Sequence, residues 1–204
     1  MMESLQKQVR IKSLPAFSVN GRLRLREMDL NEVVRMAESV LPQYINGDID
    51  VTITLLEKNL QIMADTALMT EALTHLIKNA MDAMPGGGKF SLSTNQVNFE
   101  IKSLLDGDVP IIGACAFVSL ADTGVGIDKK IKEKISEPFF TTKTDGKGLG
   151  LAIAYRIIRQ HHGRIKVESR MGQGTEVNIY LPLTTPEMVN MMSIPLGPSC
   201  GQIY

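Results

Sequence analysis

The sequence predicts an α+β fold with one sizeable core. Helical periodicity and strand alternation follow each other along the chain: apolar residues recur at three- and four-residue intervals in residues 66–84, whereas apolar and polar residues alternate in residues 49–55. A length of 204 residues suffices for one core with a short appendage. We therefore expect one ordered domain at residues 29–183, preceded by a segment at 1–28 and followed by a tail at 184–204.

The first third of the chain predicts two short helices and two strands. Residues 2–18 favour a short basic helix. Asp29 is the expected N-cap of a helix that runs to about Leu41, and Glu32 stands at the spacing of a capping box. Alternation then predicts strands at residues 49–55 and 60–64.

The rest of the chain begins with the clearest helix, at residues 66–84, which the proline and three glycines of residues 85–88 end. The remaining predicted elements are strands at about 89–95 and 112–120, a helix at 148–161, and strands at 164–169 and 175–181. A polar loop near residues 105–110 joins the first two of these strands.

Charge and composition exclude several classes of function. Basic and acidic side chains balance at a formal net charge of zero, and tryptophan is absent, so nothing favours binding to nucleic acid or to an anionic membrane surface. No apolar run reaches transmembrane length. Cys115 and Cys200 lack metal-ligand spacing, and the apolar run around Cys115 predicts a core position. These features favour a cytoplasmic location.

A glycine-rich segment predicts contact with phosphate. Gly146, Gly148 and Gly150 open a helical stretch and follow the sequence EPFFTTK at residues 137–143. Glycine has no Cβ to exclude a ligand from the backbone, and the N–H groups that begin a helix are unpaired donors in a positive potential. Such an arrangement binds phosphate. The spacing matches neither a Walker A loop nor a dinucleotide-binding G-x-G-x-x-G sequence.

Three polar residues, His75, Asn79 and Asp82, share one face of the helix at 66–84, because they are four and three residues apart. An asparagine oxygen there could be a ligand for Mg²⁺, a cation that prefers oxygen ligands and keeps several waters. The same pattern also fits an ordinary solvated helix face.

A D-x-G-x-G pattern, formed by Asp122, Gly124 and Gly126, follows an apolar strand. A carboxylate at a strand end can accept a hydrogen bond from an exocyclic amine such as that of adenine, and the glycines let the chain turn beneath a flat base. The alternative is a tight turn capped by the aspartate. The glycines of residues 172–175 likewise fit either a hairpin turn or a ligand contact.

In this order, the segments resemble the catalytic, ATP-binding domain of sensor histidine kinases, in the superfamily that includes gyrase, a heat-shock chaperone and the mismatch-repair ATPases. The matching regions are the N box around Asn79, the G1 box at 122–126, the F box at 137–143, the G2 box at 146–151 and the last glycine motif at 172–175. The resemblance covers about residues 29–183. It implies the Bergerat fold, a two-layer α/β sandwich with a mixed sheet, helices on one face and a flexible ATP lid. The segment at 1–28 resembles the end of a dimerisation helix and its linker.

The resemblance also implies roles for individual residues. Asn79 would coordinate the Mg²⁺ that bridges the ATP phosphates, Asp122 would accept a hydrogen bond from the adenine amino group, and Lys143 would contact phosphate. Residues 128–147 would form the lid, with Phe139 and Phe140 as anchors. The implied catalytic residues are His75, Asn79 and Lys143, and the implied nucleotide-binding residues are Asn79, Asp82, Asp122, Gly124, Gly126, Ile127, Phe140, Thr141, Thr142, Lys143, Gly146, Lys147, Gly148, Leu149, Gly150, Leu151 and Thr175.

Two positions depart from the family's pattern. Histidine kinases usually carry an asparagine where this chain has His75, and the ATP-hydrolysing relatives carry there a glutamate that activates water. His75 could take part in proton transfer, or it could be a tolerated polar substitution, which is the simpler interpretation. Lys147 stands where relatives commonly have a small hydroxyl residue. It could add charge beside the phosphates or point to solvent.

The resemblance implies transfer of the γ-phosphoryl group of ATP to a histidine of dimerisation helices. None of His75, His161 and His162 stands in a sequence like that of an acceptor, and His161 and His162 are expected to stabilise a helix C-terminus instead. We therefore expect the acceptor on a dimerisation domain outside this chain.

The expected partners follow from the same resemblance. The whole protein would be a homodimer that passes its phosphoryl group to a response-regulator receiver domain, and this segment would lie in the cytoplasm without membrane contact, even within a membrane-bound sensor. Three alternatives remain: an ATPase, an anti-sigma-type serine kinase, and a nucleotide-responsive binding module without transfer activity.

Overall fold

A computed structural model describes residues 23–45, 47–99, 113–128 and 150–185 of the chain. In chain order its elements are β1 (Arg26–Asp29), α1 (Leu30–Glu38), a 3-10 turn (Leu41–Gln43), β2 (Ile49–Thr54), β3 (Gln61–Ala64), α2 (Thr66–Asp82), β4 (Gly88–Phe99), β5 (Gly113–Asp122), α3 (Gly150–Gln160), β6 (Arg164–Arg170) and β7 (Gly174–Pro182). The helix expected in residues 2–18, the polar loop near 105–110 and nearly all of the expected lid and tail lie outside the described residues.

The main sheet has five strands in the order β2-β4-β5-β7-β6. Strand β2 runs parallel to β4, and the other pairs are antiparallel, so the predicted mixed sheet is confirmed. The register pairs Asp122, the last residue of β5, with Phe90 on one side and Thr175 on the other. Asp122 therefore sits at one end of the sheet, between the beginnings of β4 and β7.

One face of this sheet carries the helices. Along β5 the side chains of Ala116, Val118 and Leu120 are buried, and they alternate with less buried ones. They belong to the same core as the buried apolar stripes of the three helices, of which α2 contributes Met69, Ala72, Leu73, Leu76, Ile77, Ala80 and Met81. The predicted α+β fold, with helices packed on a mixed sheet, is confirmed. The free Cys115 is also buried, as predicted.

A second, two-stranded sheet pairs β1 with β3 antiparallel. The strand expected at 60–64 thus lies outside the main sheet and begins one residue later. Strand β1 was not predicted, because its sequence, Arg-Glu-Met-Asp, has no apolar alternation. It is a strand only because β3, far along the chain, supplies its hydrogen-bond partners.

Helix α1 confirms the predicted N-cap and corrects the predicted end. Asp29 Oδ1 accepts hydrogen bonds from the N–H groups of Asn31 at 3.1 Å and Leu60 at 3.0 Å. The helix ends at Glu38 rather than near Leu41, and a separate 3-10 turn follows. Pro42 explains the break, because proline has no N–H to donate to the Glu38 carbonyl and its ring crowds that group.

Helices α2 and α3 are joined at one end by His161. This side chain is only 3% exposed, its Nδ1 donates to the Ile157 carbonyl at 2.7 Å, and its Nε2 accepts from the Asp65 N–H at 2.9 Å. Asp65 is also the N-cap of α2. The ring therefore does more than stabilise its own helix terminus, since it holds the end of α3 against the start of α2. Burial lowers the pKa of His161 and so favours the neutral ring that this arrangement requires.

Other predicted boundaries need small corrections. Strand β4 continues to Phe99 instead of ending near residue 95, and β5 includes Asp122 instead of ending before it. The helix expected at 148–161 is described from Gly150 to Gln160. None of the helices in the described ranges is both long and apolar enough to cross a lipid bilayer.

Candidate functional site

The polar face of α2 meets the start of α3. A Cβ atom placed on Gly150 would lie 3.4 Å from His75 Nδ1 and 3.6 Å from both amide atoms of Asn79, Nδ2 and Oδ1. Gly150 thus leaves room for about one methyl group beside both side chains, which are half-buried. Asp82, in the last turn of α2, is exposed. The face predicted from spacing exists, but α3 partly covers it, so it is not an ordinary solvated helix face.

His75 has a partner that the sequence interpretation missed. Its Nε2 lies 3.8 Å from Oε1 of Glu71, one helical turn earlier, and the two side chains are 30% and 26% exposed. Burial lowers the pKa of His75, while the Glu71 carboxylate partly offsets that effect and Lys78 adds to it. The neutral imidazole is therefore favoured at pH 7. The four-residue spacing of Glu71 and His75 could have revealed the pair.

The loop that follows Asp122 rests on the C-terminal end of α2. The Val125 N–H donates to the Ala83 carbonyl at 3.0 Å, and a Cβ on Gly124 would lie 2.5 Å from the same oxygen. Only a residue without a side chain fits at such a distance. Since Asn79 lies one turn before Ala83, the D-x-G-x-G loop and the N box meet at one end of α2.

The Asp122 carboxylate is held by backbone donors on two sides. Its Oδ1 accepts from the Gly124 N–H at 2.8 Å, and the carboxylate also accepts from the backbone N–H of Thr175 across the sheet. Burial raises the pKa of Asp122, and these two hydrogen bonds act in the opposite direction. The aspartate does cap its turn, as the plainer interpretation expected. A carboxylate has about four acceptor positions, so it can still accept from a ligand.

The hairpin between β6 and β7 supports the same loop. The Gly172 N–H donates to the Val125 carbonyl at 2.8 Å. Gly126 has φ +68°, and any side chain there would collide with the Arg170 carbonyl oxygen. Residues 171–173 are therefore the turn of this hairpin, and Gly174 and Thr175 begin β7. The hairpin interpretation is confirmed, and the hairpin also packs against the D-x-G-x-G loop.

A hydroxyl that was not predicted joins these two loops. Ser169 Oγ accepts from the Ile127 N–H at 2.8 Å, donates to the Gly174 carbonyl at 2.9 Å, and lies 2.9 Å from Thr175 Oγ1. Serine in a polar strand has no local sequence signal for such a role. Thr175 and Ile127, both predicted site residues, are thereby placed in one network beside Asp122.

Several predicted site residues lie outside the described residues: Phe140, Thr141, Thr142, Lys143, Gly146, Lys147, Gly148 and Leu149. Their roles stay predictions. Leu151, the second residue of α3, is half-buried and packs against the core.

Known sequences match most of this chain. The family model "Histidine kinase-, DNA gyrase B-, and HSP90-like ATPase" matches residues 64–185. "Sensor kinase CckA" of Brucella abortus (strain 2308) is 37% identical over 175 residues, which are 84% of this chain and 18% of that protein. "Signal transduction histidine-protein kinase AtoS" of Escherichia coli (strain K12) is 32% identical over 175 residues, which are 85% of this chain and 26% of that protein. The chain thus spans less than a third of the length of these curated relatives.

Solved structures match at the level of one domain. The catalytic domain of histidine kinase ThkA, in a nucleotide-free form, superposes with a TM-score of 0.61 at 30% identity over 81% of this chain and 99% of that chain. Full-length ShkA in complex with AMPPNP gives a TM-score of 0.61 at 27% identity over 81% of this chain and 32% of that chain. The resemblance predicted from the motifs is confirmed. This chain belongs to the family of histidine kinase-, DNA gyrase B- and HSP90-like ATPases.

Proposed function

We propose that this chain contains the ATP-binding catalytic domain of a two-component sensor histidine kinase, extending over about residues 29–183. The observation that carries the proposal is the meeting of three sequence patterns at the C-terminal half of α2. Gly150 of α3 faces Asn79, and Gly124 of the D-x-G-x-G loop rests on Ala83 one turn later. The matching proteins that are named sensor kinases and histidine kinases support the same function.

In this proposal Asp122 recognises the adenine base of ATP by accepting a hydrogen bond from it. Two backbone N–H groups orient its carboxylate, and the remaining acceptor positions would receive the exocyclic amine of adenine. Gly126 would let the base lie against the loop, because no side chain rises there. Guanine has a carbonyl oxygen in place of that amine, so Asp122 would disfavour GTP.

Asn79 would hold a Mg²⁺ ion that neutralises charge on the ATP phosphates. The side chain fits this role: within the part of the chain that the structure describes, no hydrogen bond occupies its amide, and Gly150 leaves space beside Oδ1. The described residues contain no group of three or more His, Cys, Asp or Glu side chains placed to hold a metal ion. The other ligands would therefore be phosphate oxygens and waters, which Mg²⁺ favours.

The start of α3 would help to bind the phosphates through its unpaired N–H groups and positive dipole end. Lys143 and Lys147 would add positive charge, and Phe140, Thr141 and Thr142 would belong to the lid that closes over the nucleotide. Catalysis would then consist mainly of positioning and charge neutralisation, as is general for phosphoryl transfer.

The phosphoryl acceptor would lie on a dimerisation domain outside this chain. His161 is buried with both ring nitrogens hydrogen-bonded, so it cannot attack a phosphoryl group without breaking the link between two helices. His75 would belong to the nucleotide site instead. In this proposal the whole protein works as a cytoplasmic or membrane-anchored homodimer and passes the phosphoryl group on to a receiver domain.

A transfer assay tests this function. The chain is incubated with γ-labelled ATP, Mg²⁺ and a separately produced dimerisation domain that carries an acceptor histidine. We expect acid-labile label on that histidine, and none when the histidine is replaced by glutamine. Release of free phosphate alone would indicate an ATPase. ATP binding with neither product would indicate a nucleotide-responsive binding module.

A further inference from the structure

A row of polar side chains crosses neighbouring strands at one end of the main sheet. Thr175 of β7 is paired in register with Ser169 of β6 on one side and with Asp122 of β5 on the other. Residues directly opposite each other on paired strands lie on the same face of a sheet. Leu120, two residues before Asp122, is buried in the core beneath the helices, so the row lies on the face that carries the helices.

The hydrogen bonds of Ser169 decide the direction of the one that it shares with Thr175. A hydroxyl group has one proton to donate and two lone pairs. Ser169 Oγ lies 2.9 Å from the Gly174 carbonyl oxygen, which can only accept, so the serine proton is donated there. The Ile127 N–H donates to one lone pair at 2.8 Å. Thr175 Oγ1, which is 2.9 Å from Ser169 Oγ, therefore donates its own proton to the remaining lone pair.

This direction makes the Thr175 hydroxyl an acceptor toward any further group. Its only proton is directed to Ser169, and no side chain or backbone group in the described ranges donates to its lone pairs. The backbone N–H of Thr175 donates to the Asp122 carboxylate, which holds the two residues side by side. The side chains of Asp122 and Thr175 therefore present lone pairs, and neither of them offers a proton.

We propose that Ser169 is a positioning residue that sets the base specificity of this site: by accepting the Thr175 proton, it makes Thr175 Oγ1 a second acceptor beside Asp122. The inference rests on the proposed nucleotide site and deepens it. The amine on C6 of adenine would find two acceptors there. The carbonyl oxygen on C6 of guanine or hypoxanthine would face lone pairs instead, so nucleotides of these bases are disfavoured.

Removing the Ser169 hydroxyl should release the Thr175 proton. In Ser169→Ala the Thr175 hydroxyl loses its acceptor and can rotate to donate to a carbonyl oxygen on C6. Inosine triphosphate carries this carbonyl in place of the amine of ATP, so its binding should become stronger relative to that of ATP. One hydrogen bond between neutral groups corresponds to an affinity change of about threefold to tenfold. A role limited to joining two loops would weaken both nucleotides in parallel.

Titration calorimetry with ATP and with inosine triphosphate, each in the presence of Mg²⁺, tests the proposal. We expect the parent chain to favour ATP and Ser169→Ala to narrow this preference about threefold to tenfold. Ser119→Ala is the matched control, because it removes a serine hydroxyl that donates to Glu176 on the opposite face of the same sheet. This control should keep the preference of the parent. A ratio of affinities that is unchanged in Ser169→Ala overturns the proposal.

Replacing Thr175 with valine shows whether Ser169 acts through it. Valine has nearly the same shape without the hydroxyl, so Thr175→Val should itself narrow the preference for ATP. Adding Ser169→Ala to Thr175→Val should then change the ratio no further, and a second change of the same size would overturn the assignment.

The same variant and the parent chain settle the remaining cases. If Ser169→Ala does not fold, an unchanged preference in Thr175→Val overturns the role of the hydroxyl. Equal affinity of the parent for the two nucleotides would overturn the proposed selectivity and leave nucleotide binding itself standing. Binding of neither nucleotide would overturn the proposed function as well.

Discussion

Replacing Asp122 with asparagine is the sharpest test of how the site reads its nucleotide. The carboxylate already accepts hydrogen bonds from Gly124 and Thr175, and adenine would supply a third donor. Asparagine has one acceptor oxygen, and its NH₂ group is itself a donor. At least one of the three donors would therefore face another donor.

The structure sets the size of the expected effect. A hydrogen bond to a charged group contributes about 1.5–3 kcal/mol, so ATP affinity should fall about tenfold to a hundredfold. Folding should change little. Burial raises the pKa of Asp122, which means that the folded state penalises the charge and that stability falls as pH rises through the unfolded value. Removing the charge relieves that penalty and offsets the weakened backbone hydrogen bonds, so we expect a change in unfolding free energy of about 1 kcal/mol or less.

Titration calorimetry with ATP and with GTP measures the nucleotide affinities, and urea unfolding measures the unfolding free energy. The parent chain should favour ATP, and Asp122→Asn should narrow that preference, because the amide can donate to the guanine carbonyl. Asp50→Asn, the same change at an exposed position of β2, is the control and should alter neither property. Unchanged ATP affinity in a folded Asp122→Asn variant, or equal affinity of the parent for ATP and GTP, would refute the reasoning.

Three further predictions follow from the contacts around the site. Gly150→Ala should fold normally, since its Cβ would meet His75 and Asn79 at van der Waals distances of 3.4 and 3.6 Å. It should nevertheless weaken binding of the metal–nucleotide complex about tenfold, because the methyl group fills the space beside these side chains. Calorimetry that finds the affinity of the parent chain in this variant would contradict the prediction. His161 should make stability depend on pH: burial lowers its pKa, so the folded state binds fewer protons, and stability present above about pH 6.5 should be lost as the pH falls below that value. Urea unfolding at several pH values in this range should show that the unfolding free energy depends less steeply on pH in His161→Gln than in the parent chain. His75, whose pKa burial also lowers, contributes in the same direction in both. An identical pH dependence in the two chains would speak against the role of the buried ring. His162→Gly should stabilise the fold by about 0.5–1 kcal/mol, because His162 has φ +57°, where glycine is unstrained; a lower melting temperature would be the contrary result.

Local physics accounts for what the sequence could predict. The apolar stripe of α2, the N-cap at Asp29 and the turn at residues 171–173 depend on residues that are close together in the chain, so their patterns can be read directly. The residue types and spacing of the motifs at Asn79, Asp122 and Gly150 also indicated a nucleotide site. These determinants sufficed for the fold class and for the family.

The contacts that assemble the site could not be read in this way. The sequence by itself determined which residues are available: an amide on a helix, a carboxylate at a strand end, and glycines where backbones can approach. Only the tertiary structure brought Gly150 to His75 and Asn79, placed Ser169 between two loops, and joined Asp65 to His161 across 96 positions of sequence. Such contacts depend on how the helices and hairpins pack against one sheet. Packing between residues so far apart in the chain produces no repeating pattern in the sequence from which it could be predicted.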